Sequence, residues 1–265
     1  MDVEFLREID RDEMRCRVAA LTGYEQERQE IKALARIKFD TAELNSSYLK
    51  FLNLNGDVLL YGKPGTGKTS ICYDCMLSCS DATYYQLKLP EIISEKLGET
   101  SKNLSKAFNY ILQESVEYPT FLLIEEIEAF FPDRQTSRDL PDMKRALTVM
   151  MEYLDCYNPN LMILCTTNFK KNLDPAIIRR FGYQAEIKNG SEEDIIRFLT
   201  HKENPFSEYF SDRQENAEIA RAAFEQCLSF SVIKDKMKNL YLANHGDSAQ
   251  VNGKTLLKLV KEETK

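Results

Sequence analysis

No stretch of this 265-residue chain strings together the roughly 18 apolar residues that a helix needs to cross a bilayer, so no membrane partner is expected. Positive charge is in deficit. With 35 Lys and Arg against 42 Asp and Glu, the formal net charge of −7 argues against a surface that grips nucleic acid by neutralising phosphates. The cluster Lys234, Lys236 and Lys238 reads as a solvated helix face. A disulfide framework is also missing: the seven cysteines are odd in number and scattered, and the first twenty residues are too charged for a secretory signal. A reducing, cytoplasmic setting is the expectation. Histidine is scarce, and neither His201 nor His245 has the setting of a nucleophile's base or completes a zinc set with Cys72, Cys75 and Cys79. Those three cysteines fall at i, i+3 and i+7, the spacing of a helix face packed on a sheet.

What is present is a regular alternation. Strand-like runs at 57–62, 84–88, 121–124, 161–165 and 183–187 are separated by helical periodicity, as in Leu104, Ala107, Phe108, Ile111 and Leu112 or Ala146, Leu147, Met150, Met151 and Leu154. The pattern predicts an α/β fold with a parallel sheet flanked by helices. Beyond 190 the strands stop. Ser191 with Asp194 marks a helix start, and further amphipathic stretches follow, so 190–265 is expected to form a small all-helical lid domain. Residues 1–48 are expected to be a helical appendage and 49–189 the α/β domain.

The sharpest chemical signal is GKPGTGKT, residues 62–69, between an apolar strand and a helical segment. Gly62, Gly65 and Gly67 let the backbone curl so that successive N–H groups face phosphate oxygens, and the helix start adds its positive dipole end. Lys68 is placed for the β and γ phosphates and Thr69 for Mg²⁺; Pro64, Thr66 and Ser70 complete the loop. FLLIEE, residues 121–126, then supplies a buried strand ending in two acids. In P-loop NTPases one such acid holds the Mg²⁺ shell and another orients the attacking water, the roles expected of Glu125 and Glu126. No NKxD-type sequence follows, which disfavours a GTPase.

Together with TTNFKKNLDPAIIRRF, residues 166–181, these motifs resemble the AAA family of AAA+ ATPases over about residues 49–188, and the short chain looks like small stand-alone bacterial or phage members. The resemblance implies ATP as the nucleotide, Asn168 as a sensor of the lytic water, and Arg179 and Arg180 as fingers reaching a neighbouring subunit's nucleotide, with a local salt bridge as the alternative. It also implies a ring, most often a homohexamer, that remodels a protein client. Lys96, Leu97 and Gly98 stand where the family's pore loop has an aromatic, an aliphatic and a glycine; with the aromatic missing, an ordinary exposed loop is the other reading. The family usually has Asp where Glu125 stands, so slower hydrolysis is expected, and Glu125→Asp is expected to leave activity equal or higher. Two further functions fit the motifs: a slow-turnover assembly switch or scaffold, and a DNA-linked loader, which the acidic charge disfavours.

Overall fold

The computed structural model describes residues 4–40, 55–94, 96, 98–130, 140–156 and 158–262. The chain divides into two units, the first made of Met1–Arg15, Gln26–Gly62 and Cys72–Glu186, the second of Cys16–Glu25, Lys63–Ile71 and Ile187–Lys265. The boundary expected at residue 48 lies outside the described residues.

The first unit holds a six-stranded sheet. Its strands are β1 (Leu6–Glu8), β2 (Val58–Tyr61), β3 (Thr83–Leu87), β4 (Thr120–Ile124), β5 (Leu161–Thr167) and β6 (Tyr183–Glu186). They run in the order β1-β3-β4-β5-β2-β6, all neighbours parallel except the antiparallel β1–β3 pair. Every residue of β4 and β5 is buried, because a parallel sheet is covered on both faces and selects continuous apolar runs.

Helices α1 (Arg11–Val18), α2 (Glu25–Asp40), α3 (Lys68–Leu77), α4 (Leu89–Ile92), α5 (Glu99–Glu117), α6 (Leu140–Asp155) and α7 (Pro175–Ile178) connect or flank these strands. One face of the sheet, through Leu122, Ile124, Ile163 and Cys165, shares a core with Leu104, Phe108 and Ile111 of α5 and Ala146, Met150 and Leu154 of α6. Phe108 stacks on Tyr153 with ring centroids 4.5 Å apart. Each fully buried Leu, Ile or Phe contributes about 1.5–3 kcal/mol, so this one face anchors both helices. On the opposite face Phe121 meets Tyr84 and Phe39. Cys72 and Cys75 are buried and Cys79 half-buried; burial pushes the Cys75 thiol well above its usual range.

Strand β1 was not among the sequence expectations. At three residues it is too short to show a period, and it is held by its partner instead: Lys88 N–H donates to Phe5 O at 2.9 Å and Ile9 N–H to Tyr84 O at 2.8 Å.

The second unit contains α8 (Glu192–Thr200), α9 (Arg213–Glu225), α10 (Phe230–Ala243) and α11 (Gly253–Glu262). Ser191 and Asp194 form a reciprocal capping box, and Asp212 and Ser229 cap the next two helices, each satisfying N–H groups that lack an intrahelical partner. Ile195, Leu199, Ile219, Ala223, Ile233, Met237 and Val260 make its core. Among the described residues no helix is long and apolar enough to cross a membrane.

Candidate nucleotide site

The cradle predicted from GKPGTGKT begins where β2 ends. Gly62 N–H donates to Thr167 O at 3.3 Å, so the chain leaves the sheet beside the end of β5. Gly65 sits at φ +75°, and a Cβ there would lie 2.6 Å from Ser231 Cβ and 2.7 Å from Ser229 Oγ; both the left-handed backbone and the crowding require glycine. Ser231 N–H donates to Gly65 O at 3.4 Å. The Thr66 hydroxyl and the Lys68 ammonium both donate to Lys63 O, at 3.0 and 2.8 Å, which curls the loop into a closed turn. Thr66 is 1% and Lys68 7% exposed.

Lys63, Pro64 and Gly65 are exposed, while Gly67, Thr69 and Ser70 are half-buried at the start of α3. A buried ammonium, hydroxyls and the N–H groups of a ten-residue helix's first turn form a donor set that suits a polyphosphate. Sequence reasoning missed the apolar flank of this loop: a Cβ at Gly67 would be 3.8 Å from Leu21 Cδ1 and 3.9 Å from Tyr24 Cε2.

The acids lie in the first unit, at the C-terminal ends of the central strands. Glu126 has φ +52°, a left-handed conformation uncommon for a residue with a side chain, and its N–H donates to Thr166 Oγ1 at 3.3 Å. Asn168 Nδ2 donates to Glu126 Oε1 at 3.3 Å, and Asn168 N–H to Glu128 Oε1 at 2.8 Å. Glu128 therefore fixes the backbone that carries Asn168, and its Oε2 is buried with no partner among the described residues. Glu125 accepts a hydrogen bond from the Gln86 amide of β3. Glu126 and Asn168 are thus joined by a hydrogen bond, while Glu128, Thr166 and Gln86 are additions that only the tertiary structure reveals.

Among the described residues no three His, Cys, Asp or Glu side chains gather into a metal set. Mg²⁺ seldom needs one, since it usually takes one or two protein oxygens together with water and substrate phosphates. The Thr69 hydroxyl and the Glu125 carboxylate are hard oxygen donors of that kind.

The two arginines differ. Arg180 Nε and Nη2 donate to the two oxygens of Asp155, both at 2.8 Å, and Nη1 donates to Ala176 O at 2.6 Å. Arg179, at the C-terminal end of α7, is exposed. At the segment expected to line a pore, Lys96 is exposed and lies 3.5 Å from Glu99, and Gly98 caps α5 at φ +82°. Leu97 lies outside the described residues.

Residues 58–189 match the family described as ATPase family associated with various cellular activities (AAA). The chain carries an AAA ATPase domain. Similar curated proteins include the proteasome-activating nucleotidase of Methanopyrus kandleri, 31% identical over 176 residues, or 63% of this chain and 39% of that protein. The putative pachytene checkpoint protein 2 of Caenorhabditis elegans is 33% identical over 165 residues, covering 56% of this chain and 38% of its own. The chain thus spans under half the length of either relative. In three dimensions the AAA domain and its helical unit share their fold with a chain of the E. coli MS115-1 HORMA:CdnC:Trip13 complex. There the TM-score is 0.80 at 20% identity, over 98% of this chain and 94% of that one.

Proposed function

We propose that this chain is an ATP-hydrolysing, Mg²⁺-dependent subunit of a homohexameric ring that remodels a protein client. The observation that carries the reading is the Glu126–Asn168 pair: a carboxylate held in a strained backbone conformation and met by a carboxamide, at the end of a buried strand. Gly62 and Glu125 leave the same edge of one parallel sheet with β5 between their strands, a separation of roughly 10 Å from two strand spacings. Open α/β sheets bind ligands along that edge.

In this reading Glu126 acts as general base on the attacking water and Asn168 orients that water. Lys68 and the amides of residues 62–70 neutralise phosphate charge, and Thr69 with Glu125 would hold Mg²⁺, which supplies charge stabilisation when bound. Leu21 and Tyr24 offer apolar surface suited to a base. Arg179, exposed and just past the end of the short helix after β5, is the residue suited to act on a neighbour's nucleotide. Lys96, Leu97 and Gly98 are the client-facing segment, and the likeness to bacterial or phage members belongs to the same proposal. Remodelling of a protein partner is supported by the names of the similar proteins, a proteasome activator and a checkpoint protein among them.

The test is turnover against protein concentration, with particle size followed in parallel. Specific activity that rises as oligomers form supports a shared site; full activity in the monomer removes Arg179 and the ring from the mechanism.

A further inference from the structure

Strand β1 lies at the outer edge of the sheet, two strands from the acid pair, yet its one inward-reaching charge belongs to a chain of contacts that ends on Glu125. In the antiparallel register Arg7 stands directly opposite Gln86 of β3. In the parallel register beyond it Gln86 stands opposite Leu123 of β4. Side chains alternate along a strand, so Arg7, Gln86, Leu123 and Glu125 share one face, with Glu125 on the diagonal from Gln86.

The contacts follow that geometry. Arg7 Nη1 and Nη2 grip the two oxygens of Glu13 at 2.9 and 3.1 Å, while Nε and Nη2 donate to Gln86 Oε1 at 3.0 and 2.7 Å. Gln86 Nε2 then donates to Glu125 Oε2. Polarity leaves the amide one orientation. A guanidinium only donates, so it draws the Gln86 oxygen; a carboxylate only accepts, so it draws the nitrogen. Glu13 pins the guanidinium, the guanidinium pins the amide, and the amide pins one oxygen of Glu125.

A glutamate has one more rotatable bond than an aspartate, and a cation that demands near-ideal octahedral geometry tolerates little wandering of its carboxylate. We propose that Arg7, acting through Gln86, is a positioning residue for Glu125, so that the edge strand sets the site's affinity for its divalent cation. The proposal rests on the reading of Glu125 as the metal-holding acid. Arg7 touches neither nucleotide nor metal in this scheme; it removes freedom from the group that does. Partners of this outer kind are worth about 10- to 100-fold in metal affinity when lost.

The probe is Mn²⁺, titrated by electron paramagnetic resonance into the full-length protein holding a non-hydrolysable ATP analogue. Wild type is compared with Arg7→Met, Gln86→Met, the double variant and Glu125→Ala; nucleotide affinity in EDTA and the melting temperature are measured alongside. Gln86→Met leaves the Arg7–Glu13 pair intact and reports on the relay even where loss of Arg7 loosens the edge strand. The expected result is a Mn²⁺ affinity about tenfold weaker in each single variant and no weaker in the double, since both cut one relay. Affinity for metal-free nucleotide stays unchanged. Unchanged Mn²⁺ affinity in Gln86→Met, or losses that multiply in the double variant, overturns the relay. A Glu125→Ala protein with normal Mn²⁺ affinity overturns instead the assignment of that acid to the metal, so the two failures are told apart.

Discussion

Arg180 and Asp155 form a two-bonded pair, guanidinium Nε and Nη2 each 2.8 Å from a carboxylate oxygen, while the adjacent Arg179 is exposed. Two arginines that look equivalent in sequence therefore have different occupations: one is tied to the end of α6, the other faces outward. Arg179→Ala should lower turnover of the assembled protein by about 10³-fold or more, the scale of an arginine that stabilises transition-state charge, with little change in melting temperature. Arg180→Ala should cost about 1 kcal/mol of stability, because Asp155 is more than half exposed and solvent screens the pair. Turnover and thermal melting of both variants decide it, and abolished turnover at unchanged melting in Arg180→Ala would reverse the assignment.

Glu126 and Asn168 can be separated by chemistry. Glu126→Gln keeps the side chain's size and its capacity to meet Asn168 while removing the base, so ATP affinity should hold and hydrolysis should fall by about 10²- to 10⁴-fold. Equilibrium binding of a fluorescent ATP analogue and single-turnover hydrolysis check the two halves. Undiminished hydrolysis would move the base elsewhere, with Glu128, held 2.8 Å from Asn168 N–H, the next residue to examine.

The buried strands and the loop between β2 and α3 could be read from sequence because their causes are local. Continuous apolar runs such as FLLI and LMILC belong to strands covered on both faces, and the glycines of GKPGTGKT dictate the curl that follows. What stayed hidden depends on distant pairing. Three residues of β1 carry no period, and Arg7 acquires meaning only when its strand docks opposite Gln86, 79 residues on. Gln86 itself left one trace, a lone amide inside the strand-like run YYQLK. The split between Arg179 and Arg180 likewise needed Asp155, 25 residues upstream.

The Gln86–Glu125 contact changes one expectation. A shorter acid at 125 looked harmless or beneficial when only the family's usual Asp was considered. In the structure the glutamate's length is what lets Oε2 meet the Gln86 amide. Removing one methylene withdraws the carboxylate by up to about 1.5 Å, one carbon–carbon bond length, which breaks that hydrogen bond. Glu125→Asp should therefore need about tenfold more Mg²⁺ for half-maximal turnover, at least the loss expected from removing the amide or its Arg7 anchor. Turnover against free Mg²⁺ at saturating ATP measures it. An unchanged Mg²⁺ midpoint would mean the extra methylene is idle.

Asp74 offers a prediction about stability rather than turnover. Arg28 Nε and Lys32 Nζ each lie 2.7 Å from the same Asp74 oxygen, tying α2 to α3 within the first unit. Burial alone would raise the Asp74 carboxyl, but the hydrogen bonds and charges of Arg28 and Lys32 outweigh it and hold the group below its ordinary value. A folded value below the unfolded one means the carboxylate is favoured by folding. Its contribution is complete above the unfolded value near pH 4 and is lost as pH falls through the folded value. Asp74→Asn removes the charge and strands two cations, which for a pair not fully buried should cost about 1–3 kcal/mol at pH 7. As pH falls below about 4 the unfolded carboxyl protonates first and the folded one at still lower pH, so the gap between the two proteins should narrow progressively. Urea unfolding at pH 7 and near pH 3 tests this; a gap of constant size across that range would show that the shape of the side chain, and not its charge, holds the two helices together.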